Sequence, residues 1–189
     1  SAHLSSGISN ICSSHGAFAA LKDDGSVISW GPGFYGGVNG IILTSGVSKI
    51  YANNFSFIAL KDDGSVFTWG LGSHGGDSSS VSDQLSSGVF KIFANNDTYA
   101  ALKEDGSVVT WGENDFSISG ADSSGVADQL ASGVKTIVSG GYSYAALKED
   151  GSIVTWGMAS SGGDSSSVSD QLSTGVSTVV ASYDSYAAL

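Results

Sequence analysis

The stretch ALKEDGSVVTWG, residues 101–112, decides the fold, because nearly the same twelve residues stand at three other places. The copies are ALKDDGSVISWG at 20–31, ALKDDGSVFTWG at 59–70 and ALKEDGSIVTWG at 146–157. Working outward, Gly7, Gly46, Gly88, Gly133 and Gly175 each open a segment of the form SGVxxIxA, at spacings of 39, 42, 45 and 42 residues. A period near 40 means one supersecondary unit per repeat, none able to bury its apolar face alone. The chain therefore reads as a single tandem array over 1–189, with repeats at 7–45, 46–87, 88–132 and 133–174 and a partial one at 175–189. The repeat after Gly88 predicts three strands: Val89 to Ala94, Tyr99 to Lys103 and Ser107 to Trp111. Asp-Gly at 24–25, 63–64, 105–106 and 150–151 is a short hairpin signal of the type I′ kind, which makes the second and third strands antiparallel neighbours. That doubling back argues against a parallel β-helix.

After each Trp-Gly comes a connector such as GLGSHGGDSSSVSDQLSSG (70–88), too polar for a core strand. Its regular apolar positions, Val81 and Leu85, Val126 and Leu130, Val168 and Leu172, are expected to pin it to the neighbouring sheet. Small antiparallel sheets packing face to face describe an all-β chain of β-propeller blades in tandem, about four and a half of them. The hairpin glycines Gly25, Gly64, Gly106 and Gly151 and the tryptophans Trp30, Trp69, Trp111 and Trp156 are its structural repeat positions.

Composition narrows the function. The chain has 18 acidic and 7 basic residues and a net charge of -11, which repels nucleic acid and anionic membrane surfaces. No apolar run is long enough to insert into a bilayer. The single cysteine, Cys12, shares its column with Tyr51, Phe93, Val138 and Val180 and reads as a small buried hydrophobe. His3, His15 and His74 share no column and have no carboxylate or cysteine at ligand spacing. There is no GxSxG elbow, and the glycine-rich connectors lack the Lys-Ser or Lys-Thr ending of a phosphate-binding loop. No enzyme and no cofactor is expected. Asp77 and Asp164, in the GGDSSS runs, are weak calcium candidates whose alternative role is turn formation. Asn54 and Asn96 head glycosylation sequons in the same turn of successive repeats. Their use would place the chain outside the cell.

The SGVxxIxA, ALxxDG and VxxWG segments together resemble the regulator of chromosome condensation repeat family, and the resemblance runs over essentially the whole chain. The connectors look most like those of long arrays in marine microbes and algae. The resemblance implies a propeller, usually of seven blades, roughly 290 residues at this period. Because both ends supply the same two strands, 189 residues read as a segment of a longer array or an arc that closes by association. Plant ultraviolet-B photoreceptors share this propeller and sense light through tryptophan clusters. Here the arginines of their dimers are absent, and each Trp holds a packing position.

Three functions follow as expectations. The first is a non-enzymatic extracellular or cell-surface repeat protein, a structural module or protein-binding platform acting through loops or self-association, with assembly into a larger complex or filament. The second is a guanine-nucleotide exchange factor for a small GTPase, suggested by the resemblance alone. The third is a secreted enzyme inhibitor of the bacterial β-lactamase-inhibitory type, which would use the loop aromatics Phe34, Tyr35, Phe55, Phe116, Tyr142 and Tyr183. The third unit is longer by three residues near Glu113 to Gly120, and Asp115 and Phe116 there are candidates for a specific contact.

Overall fold

The computed structural model describes residues 7–112 and 120–189. His3 and the Glu113–Ser119 stretch with Asp115 and Phe116 lie outside them. The chain divides into two units, Ser1–Val89 and Phe90–Leu189.

In the first unit, β1 (Ile8–Ser13), β2 (Phe18–Lys22), β3 (Val27–Trp30) and β4 (Gly40–Leu43) form one sheet in sequence order. A second sheet is β5 (Val47–Ala52), β6 (Ser56–Lys61) and β7 (Val66–Gly70). In the second unit lie β8 (Val89–Ala94), β9 (Thr98–Lys103) and β10 (Val108–Gly112), then β11 (Val134–Ser139), β12 (Ser143–Lys148) and β13 (Ile153–Gly157). The pair β14 (Val179–Ala181) and β15 (Tyr186–Ala188) follows. Every pairing is antiparallel, as the doubled-back hairpins require.

The hairpin turn differs from the expected type I′. Asp24, Asp63, Asp105 and Asp150 keep negative φ, and only the following Gly25, Gly64, Gly106 and Gly151 are left-handed. In each turn the glycine N–H donates to the lysine three residues back, while that lysine's N–H donates to the serine after the glycine. This is a type I turn closed by a glycine bulge, the three-residue hairpin. The aspartate selects it: Asp24 Oδ1 accepts both the Ser26 N–H, at 3.0 Å, and the Ser26 hydroxyl, at 2.6 Å. Ser65, Ser107 and Ser152 make the same pair of bonds to Asp63, Asp105 and Asp150.

These bonds hold all four carboxyls below their ordinary 3.8, the serine hydroxyl being the largest cause. A carboxyl with a depressed folded pKa stabilises the fold fully above its unfolded value, and the contribution fades as pH falls through the folded one. The melting temperature should therefore stay level from pH 7 to 5 and fall below about pH 4. Thermal melts followed by circular dichroism check this, and the acid drop should shrink when Ser26, Ser65, Ser107 and Ser152 are all alanine.

Both faces of each central strand are buried, so the core consists of layers between consecutive blades. One layer in the first unit joins Ala19, Leu21 and Val27 of the first blade to Val47, Ile50, Phe57, Ala59 and Trp69 of the second. The next unit repeats it, with Ala100 and Leu102 facing Val134, Ile137, Tyr144, Ala146 and Trp156. A third layer sets Ala145 and Leu147 against Val179 and Tyr186. Each blade thus has a front face built on Ile, Phe or Tyr, and Trp, and a rear face built on Ala, Leu and the Cys12 column. Cys12 packs on the first layer, and burial pushes its thiol up to about 12, as a hydrophobe rather than a nucleophile.

The four tryptophans stand directly opposite an aromatic residue on the neighbouring strand: Phe18 with Trp30, Phe57 with Trp69, Tyr99 with Trp111, Tyr144 with Trp156. The rings stack at 5.2–5.5 Å. The connectors depart from the expected polar link in one repeat. Where it reads Gly40–Leu43 (GIIL) the connector becomes a fourth strand, β4, on β3. In the second repeat a single bond from Val66 N–H to Leu85 C=O takes that place. Leu85 and Leu130 are buried anchors as expected, Val81, Val126 and Leu172 are half-buried, and Val168 is exposed.

Candidate functional site

Strands repeat almost residue for residue, and variation gathers in two loops that the fold holds rigidly at one end of each blade. The first loop follows the Trp-Gly pair. In Pro32–Gly37, Leu71–Gly76 and Met158–Gly163 a 3-10 turn ends on a left-handed glycine, Gly36, Gly75 or Gly162, and the next glycine donates back to Pro32, Leu71 or Met158. The second loop joins the first two strands of each blade. Asn53 Oδ1 closes it by accepting the N–H of Phe55, the N–H of Ser56 and the Ser56 hydroxyl. Asn95 does the same for Asp97 and Thr98.

The two loops are tied together through one carbonyl. Ser14 donates to Tyr35 C=O at 2.8 Å, Ser56 to His74 C=O at 2.6 Å, and Ser143 to Ser161 C=O. Backbone bonds link the second loop to that of the following blade, from His15 N–H to Asn54 C=O and from Asn96 N–H to Gly141 C=O. A fixed scaffold therefore presents freely chosen side chains, the arrangement by which loops on a rigid framework carry recognition.

In the first unit those side chains are rings. Tyr35 and Phe55 stack at 5.8 Å and 18°, and Phe34 meets both edge-on at 5.2 and 5.9 Å. His15 lies 5.6 Å from Tyr35 and His74 lies 4.5 Å from Phe55, so five rings form one strip. Phe34 is 58% exposed. The structure brings together three of the loop aromatics read from sequence and adds His15 and His74. Sequence spacing missed the histidines because they sit in different loops of different repeats and meet only when the blades stack.

In the second unit Tyr142 and Tyr183 meet edge-on at 5.8 Å. Tyr183 lies over Gly141, where any Cβ would meet its ring at 2.8 Å. Its hydrogen bond with Tyr142, then burial, raises the Tyr183 hydroxyl above its usual range. Asn96 Nδ2 donates to the Tyr183 hydroxyl at 2.7 Å, which places this sequon asparagine half-buried against a neighbouring loop. Asn54 is also half-buried, and the sequon residues Ser56 and Thr98 are fully buried.

Asp77 and Asp164 are exposed, and each uses Oδ1 to accept the N–H two residues on, Ser79 or Ser166, at 2.9 Å. Asp122 does the same with Ser124. The bonds are those of an aspartate-capped turn and hold all three carboxyls below their ordinary range. Among the described residues no three His, Cys, Asp or Glu side chains converge as metal ligands would, and no helix is long and apolar enough to cross a membrane. A cavity of about 540 Å³ lies against the last connector, lined by Ile153, Val168, Leu172, Val179 and Tyr186, with Asp164 as its acidic group.

Tandem, face-packed antiparallel blades with variable loops at one rim define a propeller-type repeat protein. The sequence model of the regulator of chromosome condensation (RCC1) repeat matches residues 47–75, which comprise β5 to β7 and the turn after them. The other units reproduce those columns, so the blades are of the RCC1 type. No curated protein matches the chain in sequence.

Solved structures similar to it include the entire ectodomain of the Physcomitrella patens receptor kinase CR4, at 18% identity and TM-score 0.56, covering 92% of this chain and 44% of that one. The CRINKLY WD40 ectodomain of the Arabidopsis thaliana receptor kinase ACR4 gives 18%, 0.56, 91% and 57%. Yeast RCC1 (Prp20) bound to Kap60 gives 19%, 0.53, 79% and 42%. The likeness is one of fold, and the chain spans about half the length of these structures.

Proposed function

We infer that the chain is a non-enzymatic, extracellular protein-binding platform whose contact surface is the loop rim. The observation that carries this reading is the five-ring strip built from His15, Phe34, Tyr35, Phe55 and His74, an aromatic cluster displayed on loops whose backbones are the same in every repeat. Aromatic side chains on a rigid base supply large contact area at little entropic cost and dominate binding energy at protein interfaces. Propellers similar in fold act in such roles: two are receptor-kinase ectodomains, and the yeast structure is of a protein studied for its binding to Gsp1p and histones. The extracellular part of the proposal rests on the Asn54 and Asn96 sequons and on the absence of arginine and scarcity of charge.

Two measurements test it. Affinity capture from the native source with the wild-type chain should recover a protein that the Phe34→Ala/Phe55→Ala variant loses, while the variant's melting temperature stays within about 2 °C, since Phe34 is exposed and Phe55 half-buried. Equal capture by both chains would remove the rim from the reading. An intact mass that drops on enzymatic deglycosylation supports the extracellular placement; an unglycosylated native chain argues against it.

A further inference from the structure

The exposed apolar residues of this chain fall into two sets, and the repeat explains both. On the front face of the first blade Ile11 is 55% exposed, Phe18 45% and Ile41 54%, and Trp30, stacked on Phe18, is half-buried. Ile11 and Ile41 end one cross-strand row, Ile11, Ala20, Ile28, Ile41, whose two middle members are buried. In the equivalent columns Ile50 is 7%, Phe57 0% and Trp69 7% exposed, and Ile137, Tyr144 and Trp156 are 3%, 0% and 3%. The second set is on β14 and β15, where Val180 is 55% and Leu189 82% exposed and their neighbour Ala187 is exposed too. These stand in the rear-face columns, whose counterparts Ala145 and Leu147 are buried at 0% and 3% and Val138 packs beside them.

The molecule itself shows what fits each surface. Inside both units a front face of Ile, Phe or Tyr, and Trp is covered by a rear face of Ala and Leu with the Cys12-column residue. Beside that layer a hairpin glycine carbonyl accepts the N–H that starts the next blade, as from Val47 to Gly25 and from Val134 to Gly106.

We propose that the front face at Ile11, Phe18, Trp30 and Ile41 binds the rear face at Val180, Ala187 and Leu189 of a second copy of this chain, head to tail, reproducing the blade-to-blade layer between molecules. Such a contact joins two different surfaces, so it propagates into rings if the rotation closes and into filaments if it does not. The strip lies on a sheet face and shares no residue with the five-ring loop strip, so the two can fail separately.

The heterologous geometry gives a test that does not depend on one variant's folding. In analytical ultracentrifugation across about 1–100 μM, a range suited to interfaces of ordinary strength, the wild-type chain should form species larger than one copy. Ile11→Glu blocks the front and Val180→Glu the rear, so each alone should sediment as a single copy with an unchanged circular dichroism spectrum. Mixed in equal amounts they should form a dimer and nothing larger, because one free rear face remains to meet one free front face. Raising salt should strengthen wild-type assembly, since two chains of charge -11 repel one another. A wild-type chain that stays single throughout overturns the proposal, the result expected if further repeats of the same polypeptide or an unrelated partner cover these faces. Assembly that survives in both single variants, or a mixture that stays single, overturns it as well.

Discussion

Gly64→Ala is expected to destabilise the fold by about 3 kcal/mol, far more than alanine costs at most glycines of this chain. Gly64 has φ +74, and a Cβ there would stand 2.8 Å from the backbone N of Gly88, the residue that opens the next repeat. The same 2.8 Å approach recurs between Gly25 and Gly46, Gly106 and Gly133, and Gly151 and Gly175. Two terms therefore add: left-handed strain of roughly 1–2 kcal/mol and forced separation of two backbones that are hydrogen-bonded side by side, roughly 1–3 kcal/mol. Two other glycines separate the terms. Gly46 is left-handed with nothing within 4 Å, so Gly46→Ala should show the strain alone; Gly125 has open space and no positive φ, so Gly125→Ala should be neutral or stabilise by a few tenths of a kcal/mol. In melts of a chain this long each kcal/mol moves the midpoint by about 2–4 °C, giving a drop of about 6–12 °C for Gly64→Ala. Equal drops for Gly64→Ala and Gly46→Ala would mean that the blades do not approach as closely as this.

The repeat made the blades legible because both signals they need are local. Alternation marks the strands, and Asp-Gly marks the hairpin that makes β2 and β3, or β9 and β10, antiparallel. The turn type was not legible from Asp-Gly alone. It depends on the serine two residues after the aspartate, whose N–H and hydroxyl together hold the aspartate right-handed and leave the glycine as the bulge. The fourth strand, β4, was also hidden: its GIIL segment occurs in only one repeat, so the repeat pattern carried no word of it. The aromatic strip was half legible. Phe34, Tyr35 and Phe55 could be read as loop residues from the positions of the flanking strands, but their convergence with His15 and His74 depends on how one blade's loop stacks on the next. The burial of Asn96 against Tyr183 has the same origin, a contact 87 residues apart in sequence.

Trp156→Ala should cost about 3–5 kcal/mol, the range for removing a large buried aromatic side chain. Trp156 is 3% exposed, stacks on Tyr144 at 5.2 Å, and packs in the layer with Ala100 and Leu102 of the preceding blade, so its loss opens a cavity between blades rather than at a surface. Its partner ring is anchored across the same layer: the buried Tyr144 hydroxyl donates to Thr98 C=O at 2.8 Å and accepts the Asn95 N–H at 3.1 Å. Because tandem blades gain stability chiefly from their neighbours, damage to this layer should uncouple the blades on its two sides and broaden or split the calorimetric transition. Trp156→Phe should recover most of the loss. The indole N–H has no hydrogen-bond partner among the described residues, so phenylalanine gives up volume without breaking a bond and removes an unpaired buried donor. Trp30→Ala is the informative contrast, since Trp30 holds the same column and stacks on Phe18 but is only half-buried. In the single chain its truncation should cost on the order of 1 kcal/mol. If the front face of the first blade docks on a second copy, that cost should grow with protein concentration, because binding adds its free energy to the folded side only in the chain that can still assemble. A Trp30→Ala penalty independent of concentration, beside a full-sized penalty for Trp156→Ala, would show that the layer between blades is confined to the chain itself.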